Sequence, residues 1–184
     1  MIDQREQFVA TAVPFMRNVY GSALRLSGKP DVAEDVTQET YLRAFRTFNR
    51  FEAGTDCKAW LLTIMHSVLI NRYHYTRRHP ETPLEALDPN SDPLAATDSQ
   101  LAALINQTPA PEVEAALTAL PEVFRTVVVL VDMEELSYED AAGVLECPVG
   151  TVRSRLYRAR RLLFGALRDH ARRAGYAGAG EQDV

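Results

Sequence analysis

Long apolar runs and a secretion signal are both missing from this sequence of 184 residues. Its longest apolar run, VVVLV at residues 127–131, is far shorter than the roughly 18 residues that a membrane-spanning helix needs. The N-terminus, MIDQREQFVA, is polar and acidic, whereas a secretion signal has an apolar centre. We therefore expect a cytoplasmic protein that does not insert into a membrane.

Cysteine and histidine are scarce and scattered. The two cysteines, Cys57 and Cys147, form no CxxC pair, and the four histidines form no HExxH or similar ligand pattern. We therefore predict two reduced thiols, without a disulfide or a metal site. The sequence also has no glycine-rich phosphate loop and no GxSxG nucleophile motif. These absences predict a protein that is not an enzyme and needs no cofactor.

Positive charge is absent from one whole segment, although the net charge of the chain is only −5. Residues 80–111 contain five acidic residues and six of the ten prolines, but no Lys or Arg. Because proline removes a backbone donor and restricts the residue before it, we expect a flexible acidic linker at 80–111. The linker divides the chain into predicted domains at 1–79 and 112–173, followed by a flexible tail at 174–184.

Both predicted domains have helical patterns. With Asp31 as the expected N-cap, apolar or small residues recur every four positions: Val32, Val36, Thr40, Ala44 and Phe48. Residues 57–78 form a second long candidate helix, apolar at first and then basic. The stretch TVVVLV at 126–131 has strand propensity, but its neighbours are helical and no partner strand is visible, so we predict helix. The predicted fold class is all-α, with two small helical domains.

Positive charge is concentrated near the C-terminus, where residues 151–173 contain eight arginines and one aspartate. A helical wheel gives this segment an apolar stripe, formed by Val152, Leu156, Ala159, Leu163 and Leu167. The opposite face is polar and cationic, with Ser154, Arg158 and Arg161 at its centre and Arg153, Arg155 and Tyr157 beside them. A short helix precedes it, with Ser137 as cap and Asp140 at the capping-box position. Pro148 breaks the chain between them, and we expect the basic helix to start at Gly150 or Thr151.

A short helix, a tight turn and a basic helix form the layout of a helix-turn-helix, whose second helix enters the major groove. The first residues of that helix are expected to meet base edges, namely Val149, Thr151, Arg153 and Ser154. Later arginines are expected to hold phosphates. Other interpretations are a solvated charged helix on an ordinary bundle, a stand-alone helix-turn-helix regulator, and a helical interaction module that never touches DNA.

Three segments resemble one family in the right order. Residues 120–163, with LSYEDAA and PVGTVRSRLYRARRLL, resemble region four of bacterial extracytoplasmic-function (ECF) sigma factors. AEDVTQETYLRAFRTF at 33–48 is similar to the polymerase-binding part of region two, and KAWLLTIMHSVLINRYHYTRR at 58–78 to its promoter-melting helix. The resemblance implies an initiation factor that joins core RNA polymerase, opens DNA at the −10 element with region two and reads the −35 duplex with region four.

An acidic, polar cluster lies off the apolar stripe of 32–48 and suits a basic protein partner rather than DNA. The resemblance implies that this surface grips the clamp helices of the largest polymerase subunit, and that the polymerase flap is a further contact. The implied core-polymerase-binding residues are Glu34, Asp35, Gln38, Glu39, Leu42 and Arg43.

The tract INRYHYTRR at 70–78 mixes aromatic and basic residues, which suits base stacking and backbone contact on a single strand. The resemblance adds the loop 49–57, as part of a pocket for a flipped −10 base, whereas Trp60 is expected to pack in the core. The implied −10 contacts are Asn49, Arg50, Asn71, Arg72, His74, Tyr75, Arg77 and Arg78. The implied −35 contacts are Ser137, Tyr138, Val149, Thr151, Arg153, Ser154, Arg155, Tyr157, Arg158 and Arg161.

The linker fits this interpretation, because its reach of at most about 100 Å exceeds the roughly 70 Å between elements two duplex turns apart. The resemblance also implies an anti-sigma factor as a partner, and a linker that lies in the RNA channel of the polymerase. Two features depart from the family. Glu146 occupies a turn position where the family often has glycine, and DMEELS at 132–137 is more acidic than usual.

Overall fold

The computed structural model describes residues 3–52, 54–78 and 111–173, and this part of the chain is helical without a strand. The predicted linker and tail lie outside the described residues, except for Pro111. Helices stand on both sides of the linker, so the all-α prediction is confirmed. Within the described ranges, no helix combines the length and the apolar character that a membrane crossing requires.

The first domain consists of α1 (Gln4–Ala12), α2 (Met16–Ser27), α3 (Pro30–Thr47) and α4 (Cys57–Arg78). A 3-10 turn that contains Pro14 joins α1 to α2. Gly28 ends α2 with φ of 69°, a left-handed conformation that glycine adopts without a steric penalty. The chain can therefore reverse direction sharply between α2 and α3.

The start of α3 differs from the sequence prediction. Lys29 occupies the N-cap position without a side-chain hydrogen bond, and Pro30 is the first helical residue, so the prediction of Asp31 as N-cap is wrong. Proline suits this position because its fixed φ is helical and its missing N–H would have had no partner. Asp31 lies in the first turn instead, where its charge favours the positive end of the helix dipole.

The core of the first domain is built around α4. Its fully buried side chains pack against α2 and α3, namely Leu61, Leu62 and Met65. An aromatic cluster adds to this core, with the ring centroids of Phe8 and Phe48 5.2 Å apart and those of Phe51 and Trp60 4.9 Å apart. Trp60 therefore packs with the core aromatics, as predicted.

The second domain consists of α5 (Pro111–Ala119), α6 (Glu122–Val128), α7 (Tyr138–Val144) and α8 (Val149–Arg173). α6 runs on into a wider π turn at Val129–Met133, so the stretch TVVVLV is helical, as predicted. Val127, Val129 and Leu130 are fully buried here. Burial among helices outweighs the strand propensity of β-branched residues.

The basic helix α8 begins at Val149, one or two residues before the predicted start at Gly150 or Thr151, and that prediction is wrong. The amide of Thr151 donates to the carbonyl of Pro148 at 2.8 Å, so the first turn closes directly after the proline. Proline can supply that carbonyl although it has no N–H of its own.

The turn before α8 closes α7 with a Schellman motif. The amide of Cys147 donates to the carbonyl of Ala142 at 3.1 Å, and that of Glu146 to Gly143 at 3.3 Å. The residue between cap and turn must adopt the left-handed conformation, and here Glu146 does so with φ of 47°. The departure from glycine noted in the sequence therefore falls at a position where glycine is the preferred residue.

The two domains are in contact. α2 and α4 of the first meet α5, α6, the π turn and α7 of the second. A single apolar cluster contains fully buried residues of both domains, among them Leu61 and Leu130. The sequence made no prediction about this arrangement.

Candidate nucleic-acid interface

The polar face of α8 is presented to solvent because the opposite face is anchored. Val152, Leu156 and Ala159 of the predicted stripe are buried, with 0%, 2% and 0% of their surface exposed. Leu163 and Leu167 further along are only half-buried. The predicted cationic face is exposed at Arg153, Ser154, Tyr157, Arg158 and Arg161, while Arg155 is half-buried. Anchoring thus fixes which side of the helix a DNA duplex could meet.

Arg153 is held at the start of this face by an aromatic ring. Its guanidinium carbon lies 5.5 Å from the ring centroid of Tyr138 on α7, within cation–π range. This contact joins the two helices of the helix-turn-helix. Of the other residues predicted near base edges, Val149 packs against the shared apolar cluster and Thr151 is half-buried.

Ser137 caps α7, as predicted. Its hydroxyl oxygen accepts from the amide of Asp140 at 3.0 Å and donates to the Asp140 carboxylate at 2.5 Å. In the usual capping box, the acidic side chain would accept from the backbone amide of the cap residue instead. The predicted −35 contact at Ser137 is therefore a hydroxyl already engaged in capping.

Arg160 differs from the other arginines of α8. Its Nε and one Nη donate to the two carboxylate oxygens of Asp132 at 3.1 and 2.5 Å, a bidentate geometry. The hydrogen bond to Asp132 raises the pKa of Arg160, with a smaller opposing effect from burial. This arginine fixes α8 to the π turn, and its charge is matched within the protein.

The predicted −10 contacts lie at the end of α4 and on the 3-10 turn Phe48–Arg50. The side chains that are exposed to solvent there are Asn49, Arg50, Asn71, Tyr73, His74 and Tyr75. Arg72 is half-buried and pairs with Asp35 of α3, at 2.9 Å between nitrogen and oxygen. The side chains of Arg77 and Arg78 lie outside the described residues.

The acidic cluster on α3 forms one surface, with Glu34 and Gln38 exposed and Asp35 and Glu39 half-buried. The Nε of Arg43 donates to Glu39 at 2.6 Å, one helical turn away. The two half-buried acidic side chains of the cluster, Asp35 and Glu39, are thus both in ion pairs.

An apolar patch on the same helix accompanies the acidic cluster. Leu42, one of the predicted polymerase contacts, is 53% exposed. Phe45, three residues on, is 42% exposed and was not predicted. The spacing of three residues from Leu42 puts both on one helix face, and that signal was available in the sequence.

Across residues 3–52, 54–78 and 111–173, no group of His, Cys, Asp and Glu side chains could hold a metal ion. Both cysteines are free thiols, Cys57 buried and Cys147 half-buried. An anchored cationic helix and a separate aromatic-basic surface define a class, that of two-domain helical proteins which bind DNA through a helix-turn-helix.

Comparisons with known proteins narrow this class. Residues 14–79 match the family model described as sigma-70 region 2, and residues 111–163 match the model described as sigma-70, region 4. The ECF RNA polymerase sigma factor EcfG of Rhodopseudomonas palustris is 36% identical over 167 residues, 91% of this chain and 87% of the relative. The RNA polymerase sigma-H factor of Pseudomonas aeruginosa is 31% identical over 92% of this chain and 91% of its own length.

A longer relative and two solved structures agree. The ECF sigma factor SigE of Mycolicibacterium smegmatis is 38% identical over 154 residues, but the match spans only 58% of SigE. The sigma factor RpoE of Bartonella quintana, solved in complex with the anti-sigma factor NepR, matches 91% of this chain and 98% of its own, with 29% identity and a TM-score of 0.62. CnrH, solved with the cytosolic domain of CnrY, shares the fold over 91% of both chains, at 24% identity and a TM-score of 0.59.

The chain belongs to the ECF family of RNA polymerase sigma factors. It is a promoter-directing initiation factor, and the alternative of a stand-alone helix-turn-helix regulator is not favoured.

Proposed function

We propose that the two domains of this sigma factor divide promoter recognition, with α8 reading the −35 duplex and the end of α4 opening the −10 element. The exposed cationic face of α8 is the observation that carries the proposal. Five charged or polar side chains are exposed on one face of the helix: Arg153, Ser154, Tyr157, Arg158 and Arg161. The buried apolar stripe on the opposite side keeps this face toward solvent. A helix presented in this way fits the major groove.

Within this face, Arg153 is the base-reading residue. It stands at the start of α8 beside Tyr138, where a recognition helix meets base edges. Arg158 and Arg161 lie one to two turns further on and hold phosphates, which adds affinity without sequence preference. The remaining predicted −35 contacts surround these three, and Ser137 and Val149 act mainly through the structure of the turn.

The end of α4 binds the unpaired DNA strand at the −10 element. Tyr73, His74 and Tyr75 are exposed there, and aromatic rings next to basic residues can stack unpaired bases and follow the backbone. Arg77 and Arg78 extend this tract. Asn49 and Arg50 approach the same strand from the turn after α3, where the pocket for a flipped base is formed.

The α3 surface binds core RNA polymerase. Its acidic side chains suit basic residues on the clamp helices, while the exposed Leu42 supplies an apolar anchor. The chemistry of RNA synthesis belongs to the polymerase, and the sigma factor supplies no catalytic residue. The domains are 1–79 and 112–173, and the protein works in the cytoplasm, where the polymerase is.

An anti-sigma factor controls this sigma factor. RpoE, the solved relative with 29% identity, is held in a complex with the anti-sigma factor NepR, and this chain matches 98% of it. The helices that match RpoE cover both domains, so a partner could hold the two domains at once.

Reconstitution with core polymerase tests whether α8 and the end of α4 have these separate roles. Permanganate, which oxidises unpaired thymines, reports opening at −10, and a gel shift on a −35 duplex reports reading by α8. Arg77→Ala with Arg78→Ala is expected to reduce opening and leave the −35 shift intact, whereas Arg158→Ala with Arg161→Ala does the reverse. Arg168→Ala, two turns beyond Arg161 on α8, is the matched control and should change neither. A normal permanganate footprint for the Arg77/Arg78 variant would contradict the proposal.

A further inference from the structure

The acidic segment DMEELS, unusual by its charge, contains a carboxylate that is buried between the domains. Glu134 is only 4% exposed, although it is an acidic residue, and it lies just after the π turn. Its amide donates to the carbonyl of Val129 at 2.9 Å, five residues back, so the wider π geometry determines its direction. The flanking acids differ, since Asp132 pairs with Arg160 and Glu135 is exposed.

Among the residues that the structure describes, the side-chain partners of Glu134 come from the first domain. Asn18 donates from Nδ2 to Oε2 at 2.7 Å, and Ser22, itself 0% exposed, donates from its hydroxyl to Oε1 at 2.8 Å. Lys58 of α4 donates from Nζ to the backbone carbonyl of Glu134. One residue of the second domain is thus held by two helices of the first.

The contact is specific because a buried charge tolerates few arrangements. A carboxylate removed from water is costly unless donors replace the lost hydration, and here Asn18 and Ser22 do so only while the domains are in register. Around the polar contact, Leu130 and Leu136 of the second domain pack in one apolar cluster with α2 and α4. A second bridge, from Arg25 to Glu114 at 3.2 Å, lies on the same side of α2.

With the domains in contact, the two proposed DNA-binding surfaces are closer together than the two promoter elements. α4 has 22 residues and is about 33 Å long, and helices packed together lie about 8–10 Å apart. α7 is in contact with α4, and Val149 at the start of α8 packs against the apolar cluster that contains Leu61 and Met65 of α4, so the start of α8 is within about 45 Å of the far end of α4. Promoter elements two duplex turns apart are separated by roughly 70 Å.

We infer that Glu134 is an autoinhibitory latch, which holds the free chain closed and must release before the chain can read a promoter. The latch itself follows from the contacts, while its inhibitory effect rests on the proposed function. Opening hydrates Glu134, Asn18 and Ser22 and exposes the apolar surface around Leu130 and Leu136. Core polymerase supplies the compensating contacts and selects the open chain. The apparent affinity for polymerase is therefore the affinity of the open chain multiplied by the fraction of molecules that are open.

A charge swap tests the latch in the full chain. Asn18→Asp places a second carboxylate against Glu134 with almost no change in shape, and it is expected to open the chain. Adding Glu134→Gln gives the new aspartate an amide donor, so the double variant is expected to close again. Small-angle X-ray scattering reports the radius of gyration without polymerase or DNA, and circular dichroism reports helicity.

The expected outcome is a larger radius for Asn18→Asp with unchanged helicity, and a return to the wild-type radius in the double variant. The apparent affinity for core polymerase should rise about tenfold in Asn18→Asp and fall back in the double variant. Glu135→Gln, the same chemical change on the exposed neighbour, is the matched control and should alter neither quantity.

Three results would overturn the inference. These are an Asn18→Asp chain as compact as the wild type, an opened chain with unchanged polymerase affinity, and a double variant that does not return to the wild-type radius. A wild-type chain that fails to bind polymerase refutes the proposed function instead, and the scattering result still decides the latch.

Discussion

The guanidinium of Arg72 lies 2.9 Å from the carboxylate of Asp35 and joins α4 to the acidic surface of α3. Both side chains are partly exposed, so the pair contributes at most about 1 kcal/mol to stability. Its main effect is positional, because it links a residue of the proposed polymerase surface to one of the proposed −10 surface. The two proposed surfaces of the first domain therefore share a boundary at this pair.

The acidic surface gives the first prediction. Asp35→Arg with Glu39→Arg should weaken binding to core polymerase by about 100-fold or more, because opposed like charges across an interface cost several kcal/mol. The fold should survive, since the pairs lost with Arg72 and Arg43 are partly exposed. Co-purification with core enzyme measures binding, and circular dichroism checks helicity. Asp31→Arg on the same helix is the control, and equal loss in that variant would argue against a local contact.

The base-reading role of Arg153 gives the second prediction. Arg153→Ala should flatten the preference at one position of the −35 element, at a cost of about 1–3 kcal/mol. Arg158→Ala should weaken all sequences alike and reduce the salt slope by about one. Selection of bound sequences by reconstituted holoenzyme, repeated at several salt concentrations, measures both. If Arg153→Ala lowers every sequence equally, the placement of α8 in the groove is wrong.

His66 on α4 gives a prediction about pH. Burial lowers its pKa below the usual 6.5, although Glu122 and Glu146 of the second domain oppose the shift. The imidazole of His66 therefore binds a proton less readily in the folded chain than in the unfolded chain. Above pH 6.5 His66 is neutral in both states and costs no stability, and the free energy of unfolding declines as the pH falls below that value. The free energy of unfolding should therefore drop on acidification, and His66→Gln should reduce that drop.

A second variant tests the same site in the opposite direction. Glu122→Gln removes a carboxylate that raises the pKa of His66, so acidification should destabilise this variant more steeply than the wild type. Denaturant unfolding at a series of pH values from about 7.5 to 5.5 measures both slopes. A shallower slope for Glu122→Gln would show that the carboxylate does not act on His66.

The turn between α7 and α8 gives a prediction about stability. Glu146 has φ of 47°, and a non-glycine residue in this region costs about 1 kcal/mol. Glu146→Gly should therefore stabilise the protein by about 0.5–1 kcal/mol and raise Tm by a few degrees. Glu139→Gly, the same change within α7, should destabilise it by a similar amount. Thermal unfolding compares the two, and a lower Tm for Glu146→Gly would contradict the argument from strain.

Local patterns carried most of the fold prediction. The cap at Ser137 and the helical path of TVVVLV were readable because they depend on neighbours within a few positions. The errors were also local. Pro30, not a residue capped by Asp31, begins α3, and the carbonyl of Pro148 accepts the first hydrogen bond of α8, so both helices start earlier than predicted. Helix boundaries depend on small free-energy differences between adjacent residues, so errors of one or two positions are expected.

The candidate surfaces were predicted less completely. Spacing placed the arginines of α8 on one face, but it could not show that Arg160 is neutralised by Asp132, 28 positions away. Nor could it show that Arg153 rests on Tyr138, or that Arg72 pairs with Asp35. Each of these contacts joins two helices, and a periodic pattern describes only one helix at a time.

By itself, the sequence determined the helices, the cationic face of α8 and the membership of the sigma factor family, because periodicity, charge and motifs are all written along the chain. Only the tertiary structure decided how the domains meet. Glu134 is 116 positions from Asn18 and 112 from Ser22, and no local pattern marks the three as partners. Their contact forms only when the helices of the two domains pack together. That packing buries Glu134, which then needs the donors of Asn18 and Ser22 to replace its hydration.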